Sequence, residues 1–184
     1  IQGVEFDQAA RCGMSYDLSV PICDRAMFHA DNTYYLANAR ITSYRCKTNT
    51  VSNTAFRGFG GPQGMIGIER VIDEIAHFLG MDPLAVRRAN FYDPEGAVGE
   101  RAVTPYDMTV ADCIIDELVE ELRKSADYDQ RRDDIRAWNR TSGTLKLGIA
   151  LTPVKFGISF TLTFLNQAGA LVHIYNDGSI HLNH

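Results

Sequence analysis

A glycine-rich stretch from Phe56 to Gly64 contains the residues best suited to chemistry, because four of its nine residues are glycines and one is Arg57. Such a loop leading into a helix offers free N–H groups and the positive end of the helix dipole, which attract anions. Arg57 adds a permanent cation whose planar donors suit phosphate or oxo-anion groups. The stretch fits neither nucleotide-binding fingerprint. The residues therefore leave two readings open, an anion or cofactor site and an ordinary turn.

A helix must follow this loop and hold it in place. Apolar residues recur at helical spacing from about Gln63 to Leu79, which predicts an amphipathic helix. Gly80 is a favourable C-terminal stop. Asp82 and Pro83 then predict a second, short helix, because aspartate is a good N-cap and proline fits the first helical position.

The remaining periodicities predict an α+β fold. Residues 33–49 read as a pair of strands with a turn near residues 37–38. Helices are predicted over about 109–125 and 128–140, the second with Trp138 turned inward as an anchor. Alternation from about residue 145 onward, with an Asp-Gly hairpin turn, predicts late strands. Helices in the middle and strands towards the end favour the α+β class.

The first thirty residues place a cation in an apolar setting. Residues 17–21 are predicted to be extended or to form a cap, because proline disfavours helix at the residue before it. Arg25 follows within the largely apolar stretch 22–28. A fixed cation among such neighbours needs a partner. From the residues alone, Arg25 is expected to form an ion pair with Asp24 or Asp31.

Composition excludes several functional classes. The chain has 184 residues, 45% of them hydrophobic, and a net charge of −5 with scattered basic residues, which argues against a nucleic-acid surface. No apolar run reaches the length of a membrane span. The four cysteines form no C-x-x-C pair, so the sequence predicts neither a zinc nor an iron–sulfur site and indicates reduced thiols.

Three blocks resemble the xanthine dehydrogenase family, which includes aldehyde oxidases, in its molybdenum-cofactor-binding portion. They are Asp-Arg-Ala-Met-Phe-His at 24–29, Asn-Thr-Ala-Phe-Arg-Gly-Phe-Gly-Gly-Pro-Gln at 53–63, and a third within 153–170. The blocks occur in family order, and the similarity is weakest between about residues 95 and 145. The resemblance implies one partial molybdopterin-binding domain over 1–184. We expect its middle, about 63–140, to be helical and its C-terminal part, about 145–184, to be strand-rich.

The resemblance also implies an activity. Enzymes of this family hydroxylate a carbon of an aromatic N-heterocycle with oxygen from water, at a molybdenum held by a pyranopterin. Electrons leave through 2Fe-2S clusters and FAD on other domains or subunits. The implied function is the cytoplasmic oxidation of hypoxanthine or xanthine to urate in purine catabolism. The implied partners are the purine and those electron-transfer domains, within an oligomer at full length.

Five residues match functional positions of the family. Arg25 matches the arginine that contacts and orients the purine, and Phe59 and Phe160 match two phenylalanines that sandwich the planar substrate. Thr161 matches the threonine that hydrogen-bonds a substrate edge. Arg57 matches the arginine at the molybdenum centre, near the metal but not a ligand by side-chain type.

The family's general-base glutamate, its second substrate-binding glutamate and its glycine-rich pterin segment have no counterpart in this sequence. No catalytic residue is therefore assigned, and we expect an internal part of a larger subunit that neither catalyses nor binds the cofactor tightly by itself. Arg25 and the Gly60-Gly61 pair favour a purine substrate. The alternatives are a related hydroxylase acting on aldehydes or other N-heterocycles such as nicotinate, and a non-catalytic anion-binding module.

Overall fold

The described residues, 1–93, 95, 100–160 and 163–184, of this computed structural model contain five α-helices, two short 3₁₀-helices and two small two-stranded sheets. This mixture confirms the predicted α+β class. In chain order the elements are β1 (Val4–Gly13), α1 (Ser19–Phe28), β2 (Ala39–Lys47), α2 (Gly61–Leu79), α3 (Pro83–Ala89), α4 (Ile115–Ser125), α5 (Tyr128–Thr141), β3 (Leu171–Ile174) and β4 (Ile180–Asn183).

Strands β1 and β2 form a parallel pair, in register from Val4 opposite Ala39 to Arg11 opposite Cys46, and a register shift then places Gly13 opposite Lys47. Helix α1 makes the crossover that parallel strands require. The two strands predicted over 33–49 were therefore wrong, because only one strand lies there and its partner is β1. A pairing between segments this far apart leaves no mark in local periodicity.

Helix α1 begins at Ser19, so the extended or capping stretch predicted over 17–21 was wrong in its second half. Pro21 is tolerated because it occupies the first turn, where a backbone N–H has no acceptor within the helix. Asp17 has a φ of 40° in the preceding turn. The proline marks the start of the helix here.

Helices α2 and α3 confirm the predictions made for them. Helix α2 begins two residues before Gln63 and ends at Leu79, and it is capped by Gly80, whose φ is 63° and whose N–H donates to His77 O at 3.2 Å. Asp82 caps α3 by accepting from the Leu84 N–H at 2.8 Å. The inward face of α2 packs on the main core, with Ile68, Ile72 and Ala76 fully buried.

A buried ionic network ties α2 to α3 and to the segment before β2. Arg87 is 1% exposed and donates from Nε and Nη2 to Glu69 Oε2 at 3.0 and 2.7 Å, and from Nη2 to Asp73 Oδ1 at 2.9 Å. The other oxygen of Glu69 accepts from Asn32 Nδ2 at 2.7 Å and from the Tyr34 hydroxyl at 2.5 Å. Every carboxylate oxygen of Glu69 is therefore satisfied.

Removing the cation from this network should destabilise the fold strongly. Arg87→Met is expected to cost about 3 kcal/mol, because Glu69 would remain largely buried without its countercharge. Arg70→Met is the matched control, because Arg70 pairs with Glu74 on the exposed face of the same helix and should change stability by less than about 0.5 kcal/mol. Denaturant unfolding of both variants measures the difference, and equal costs would contradict a stabilising role for the network.

Helix α4 is shorter than predicted, beginning at Ile115 rather than near Thr109. The Val110 N–H donates to Ala102 O at 2.7 Å, and Asp112 has a φ of 51°. These two features hold the chain out of a helical path until residue 114. The apolar spacing continued across this turn and therefore overestimated the helix.

Helix α5 matches the predicted range, but Trp138 is 50% exposed, so its predicted role as an inward anchor was wrong. Tyr128 at the start of the helix is buried instead, with the Arg132 guanidinium 5.6 Å from its ring centre. Only the first turn of α5 meets the core, because a helix this rich in charge has few apolar side chains to bury.

The C-terminal hairpin confirms the Asp-Gly turn, with Gly178 at a φ of 81° and the Tyr175 N–H donating to Ser179 O at 2.9 Å. The strands predicted between residues 147 and 164 were wrong, because the described residues of that range form no strand. A strand needs a neighbour for its backbone groups. This segment instead meets the N-terminal half through side-chain hydrogen bonds.

Candidate functional site

The glycine-rich loop presents Phe59 through an unusual backbone. Gly58, Phe59 and Gly60 have φ angles of 92°, 47° and 96°, so three successive residues are left-handed. Glycine adopts this region at no steric cost, whereas phenylalanine does so only when its surroundings impose it. The flanking glycines therefore turn the chain sharply and direct the Phe59 ring towards α1 and Phe160.

Helix α1 delivers Arg25 to the same place. Arg25 is 6% exposed, and its Nη1 and Nη2 donate to the carbonyl oxygens of Gly157 and Ser159. Its Nε–H is buried and has no partner among the described residues. The cation is thus held by backbone carbonyls, and neither Asp24 nor Asp31 is its partner, contrary to the ion pair considered from sequence.

Aromatic rings surround the guanidinium. Its carbon lies 5.7 Å from the Phe59 ring centre and 5.2 Å from that of Phe156, within cation–π range. The Phe59 and Phe160 ring centres are 5.1 Å apart, with their planes tilted by 49°. A flat ligand between parallel rings would need roughly 7 Å, twice an aromatic contact distance. In this conformation the two rings therefore form a corner, and a sandwich requires Phe160 to move.

His29 lies one helical turn beyond Arg25 and contacts the same distant segment. Its Nδ1 is 2.8 Å from Arg25 O, and its Nε2 accepts from the Gly157 N–H at 3.0 Å. Its ring packs on Phe156 with centres 5.1 Å apart. Burial is the main cause of its lowered pKa, and the Arg25 and Lys155 cations lower that pKa further.

Polar side chains directly after α1 hold the preceding part of the segment. Asn32 donates to Pro153 O at 3.0 Å and accepts from the Lys155 N–H at 3.1 Å. The Lys155 ammonium pairs with Asp31, which also accepts from the Tyr92 hydroxyl at 2.6 Å. Burial, followed by the adjacent Asp31 carboxylate, raises the pKa of Tyr92, so its hydroxyl keeps its proton. Residues 153–159 are therefore fixed at several points.

The structure brings together three of the five predicted site residues, Arg25, Phe59 and Phe160. Arg57 is exposed at the loop and makes no ion pair or hydrogen bond within the described part of the chain. Thr161 lies outside the described residues. The functional roles of all five residues stay predictions.

Comparison with known proteins identifies the family. Two family profiles, each described as "Molybdopterin cofactor-binding domain", match residues 1–91 and 121–184. Over all 184 residues the chain is 43% identical to a xanthine dehydrogenase of Dictyostelium discoideum, of which it covers 13%. The chain belongs to the xanthine dehydrogenase family of molybdenum hydroxylases, in its molybdopterin-binding region.

A relative with another name is equally similar to the chain in sequence, and a solved structure with another name shares its fold. A nicotinate hydroxylase hnxS of Emericella nidulans is 44% identical over 183 residues, which cover 98% of this chain and 13% of that protein. The aldehyde oxidoreductase of Desulfovibrio gigas matches 78% of this chain and 15% of its own, with a TM-score of 0.64 and 24% identity, which shows the shared fold alone. The chain spans 12–13% of the curated relatives it matches.

Arg57 fits the family's cofactor as a contact to an anionic group. It is an exposed cation on a glycine-rich loop, and it has no partner within the described residues. Those residues contain no group of three or more His, Cys, Asp or Glu side chains that could hold a metal ion. An exposed cation on this loop suits electrostatic contact with an anionic group of a bound cofactor.

Sequence reasoning missed the second layer of the site. It gave no role to Phe156 or His29, and it did not find the carbonyl groups of Gly157 and Ser159 that hold Arg25. One signal was available, because Arg25 and His29 are four residues apart and share a helix face. Nothing in the sequence paired that face with a segment more than 120 positions away.

Proposed function

We propose that the chain forms the substrate-facing part of a larger molybdenum hydroxylase that oxidises purines, hypoxanthine or xanthine, to urate with oxygen from water. The observation that carries this proposal is the buried Arg25 guanidinium beside the Phe59 ring, which in turn contacts the Phe160 ring. A permanent cation at the edge of an aromatic surface suits a flat heterocycle with a carbonyl oxygen. The family resemblance gives Arg25 that role towards purines.

Each residue has a distinct part in this proposal. Arg25 orients the purine and stabilises negative charge that develops on its oxygen, from a site where burial strengthens the interaction. Phe59 and Phe160 hold the ring plane and leave its edges free for hydrogen bonds, and Thr161 binds one of those edges. The bound molybdenum cofactor supplies the oxidation and the water-derived oxygen. The general-base glutamate is contributed from outside this chain.

A related hydroxylase acting on nicotinate or an aldehyde is the second candidate. The observation in its favour is the relative named nicotinate hydroxylase, whose 44% identity matches that of the xanthine dehydrogenases. A nicotinate carboxylate would also pair with Arg25. Both candidate functions therefore use the Arg25 cation, and they differ in the substrate that the site selects.

Full-length protein loaded with its cofactor distinguishes these candidates. We expect kcat/KM to be highest for xanthine or hypoxanthine, with urate as the product and labelled oxygen from water incorporated into it. Higher kcat/KM for nicotinate or for an aldehyde would contradict the purine proposal. If the protein has normal molybdenum content but oxidises no purine, no nicotinate and no aldehyde, that result would favour the non-catalytic anion-binding module.

The wider assembly is proposed from the resemblance. We propose that 2Fe-2S and FAD domains or subunits accept the electrons and that the full-length enzyme is an oligomer. The partial molybdopterin-binding domain over 1–184 and the cytoplasmic location stay predictions. Within the described residues, no helix is long and apolar enough to cross a membrane.

Replacement of Arg57 should weaken retention of the cofactor. Arg57→Gln removes the loop's cation while keeping a polar side chain, and molybdenum and pterin content per subunit should fall by about tenfold. The fold should be unaffected, because Arg57 has no partner within the described part of the chain. Arg70→Gln, on the exposed side of α2, is the control. Metal analysis and pterin fluorescence measure the content, and full occupancy of R57Q would contradict the assignment.

A further inference from the structure

His29 has both ring nitrogens engaged with backbone groups of opposite character. The imidazole is 6% exposed, with Nδ1 at 2.8 Å from Arg25 O and Nε2 at 3.0 Å from the Gly157 nitrogen. A carbonyl can only accept and a backbone N–H can only donate. These partners define the neutral tautomer, with the proton on Nδ1 and a lone pair on Nε2.

The helix end makes this arrangement possible. The His29 N–H donates to Ala26 O rather than to Arg25 O, because α1 tightens at its last turn. The Arg25 carbonyl is thereby free to accept from the imidazole. One side chain thus satisfies an orphan carbonyl of the helix and binds the distant Gly157 as well.

Arg25 and His29 bind the two sides of one peptide stretch. His29 accepts the N–H of Gly157, while Arg25 donates to the carbonyls of Gly157 and Ser159. The next residue, Phe160, contacts the Phe59 ring. Any displacement of Gly157 would therefore move both the acceptors that aim the guanidinium and the ring of Phe160.

We propose that His29, as the Nδ1–H tautomer, is a positioning residue that sets the Arg25 guanidinium and the Phe160 ring for substrate. This inference rests on the proposed function, because it needs Arg25 and Phe160 to contact the purine. His29 itself contacts backbone and the Phe156 ring, and no role in the chemical step is assigned to it.

Protonation of His29 would undo this positioning. The added proton on Nε2 would face the Gly157 N–H, so two donors would meet and the hydrogen bond between His29 and Gly157 would be lost. The charges that act on the ring are the Arg25 and Lys155 cations, which oppose protonation, and the Asp31 carboxylate, which favours it. The pKa of His29 is lowered from 6.5, mainly by burial, so the bound arrangement is complete above about pH 6.5 and is lost as the pH falls through this lowered pKa.

Three variants of the full-length holoenzyme test the proposal. His29→Phe keeps a ring beside Phe156 but removes both polar contacts, whereas His29→Gln keeps an acceptor for Gly157 that does not titrate. His77→Gln, on the exposed end of α2, is the matched control. In H29F we expect KM for xanthine to rise about tenfold, with a smaller change for an aromatic aldehyde, which makes no use of Arg25. H29Q should stay within about threefold of wild type.

Hydrogen exchange of peptides covering residues 155–160 gives a readout independent of turnover. Exchange should be faster in H29F at about pH 7.5, and lowering the pH through the lowered pKa of His29 should loosen the wild type and H77Q more than H29Q. Wild-type exchange in H29F would overturn the proposal, as would equal losses for xanthine and the aldehyde. If the wild-type enzyme does not oxidise purines but H29F still exchanges faster, the proposed function would be refuted. The conclusion that His29 stabilises this segment would still stand.

Discussion

Arg25→Met in the full-length enzyme is expected to lower kcat/KM for xanthine by at least about 10²-fold while lowering that for an aldehyde far less. The guanidinium lies within cation–π distance of both the Phe59 and Phe156 rings and is fixed through the Gly157 and Ser159 carbonyls. Methionine fills similar volume but has neither charge nor donor, so it cannot stabilise charge that develops on a purine oxygen.

The same substitution also has a structural cost, because it leaves two backbone carbonyls without their donors. Arg25→Lys separates the two effects, since an ammonium keeps the charge but lacks the planar fork that reaches both carbonyls. We expect R25K to fall between wild type and R25M for xanthine. Equal losses of xanthine and aldehyde turnover in R25M would indicate a structural role alone and would contradict the assignment of Arg25 to the substrate.

Gly64→Ala is expected to destabilise the protein by roughly 4 kcal/mol or more. A Cβ at Gly64 would lie within 3.0 Å of the Ala26 carbonyl of α1, closer than real Cβ atoms come. Both groups belong to helical backbone, so relief requires α1 and α2 to separate. Because α1 carries Arg25 and α2 follows the loop that carries Phe59, separation would also dismantle the site.

Gly67→Ala on the same helix is the matched control. The nearest atom to its added Cβ is in the Phe6 ring at 3.7 Å, an ordinary contact. Alanine has the higher helix propensity, so G67A should be neutral or more stable by up to about 1 kcal/mol. Soluble yield and thermal unfolding of both variants measure the contrast. A G64A protein as stable as G67A would show that the two helices are not held this closely.

Local sequence signals predicted the elements that depend only on neighbouring residues. The helix α2 with its Gly80 stop, the Asp82 cap of α3 and the Asp-Gly hairpin each follow from the intrinsic preferences of a few adjacent residues. The glycine loop was likewise recognised as a place where the backbone must turn sharply, and Gly58 and Gly60 have positive φ angles.

Elements that depend on distant partners could not be predicted in this way. The parallel pairing of β1 with β2 and the contacts of Arg25 and His29 with Gly157 join segments far apart in the sequence. Trp138 shows that a correctly predicted helix does not by itself give the burial of its side chains. This apolar side chain has the right helical spacing but remains half exposed, because its helix meets the core only at its first turn. Three candidate site residues were found because the resemblance, rather than periodicity, selected them.

The most direct test of the purine site is a structure of the full-length holoenzyme with a bound purine. We expect the purine ring plane to lie against Phe59, the Phe160 ring to have moved away from its present 5.1 Å contact, and an Arg25 donor to lie about 3 Å from a purine oxygen. A purine bound elsewhere, or one bound here with every Arg25 donor still directed only at Gly157 and Ser159, would contradict this expectation.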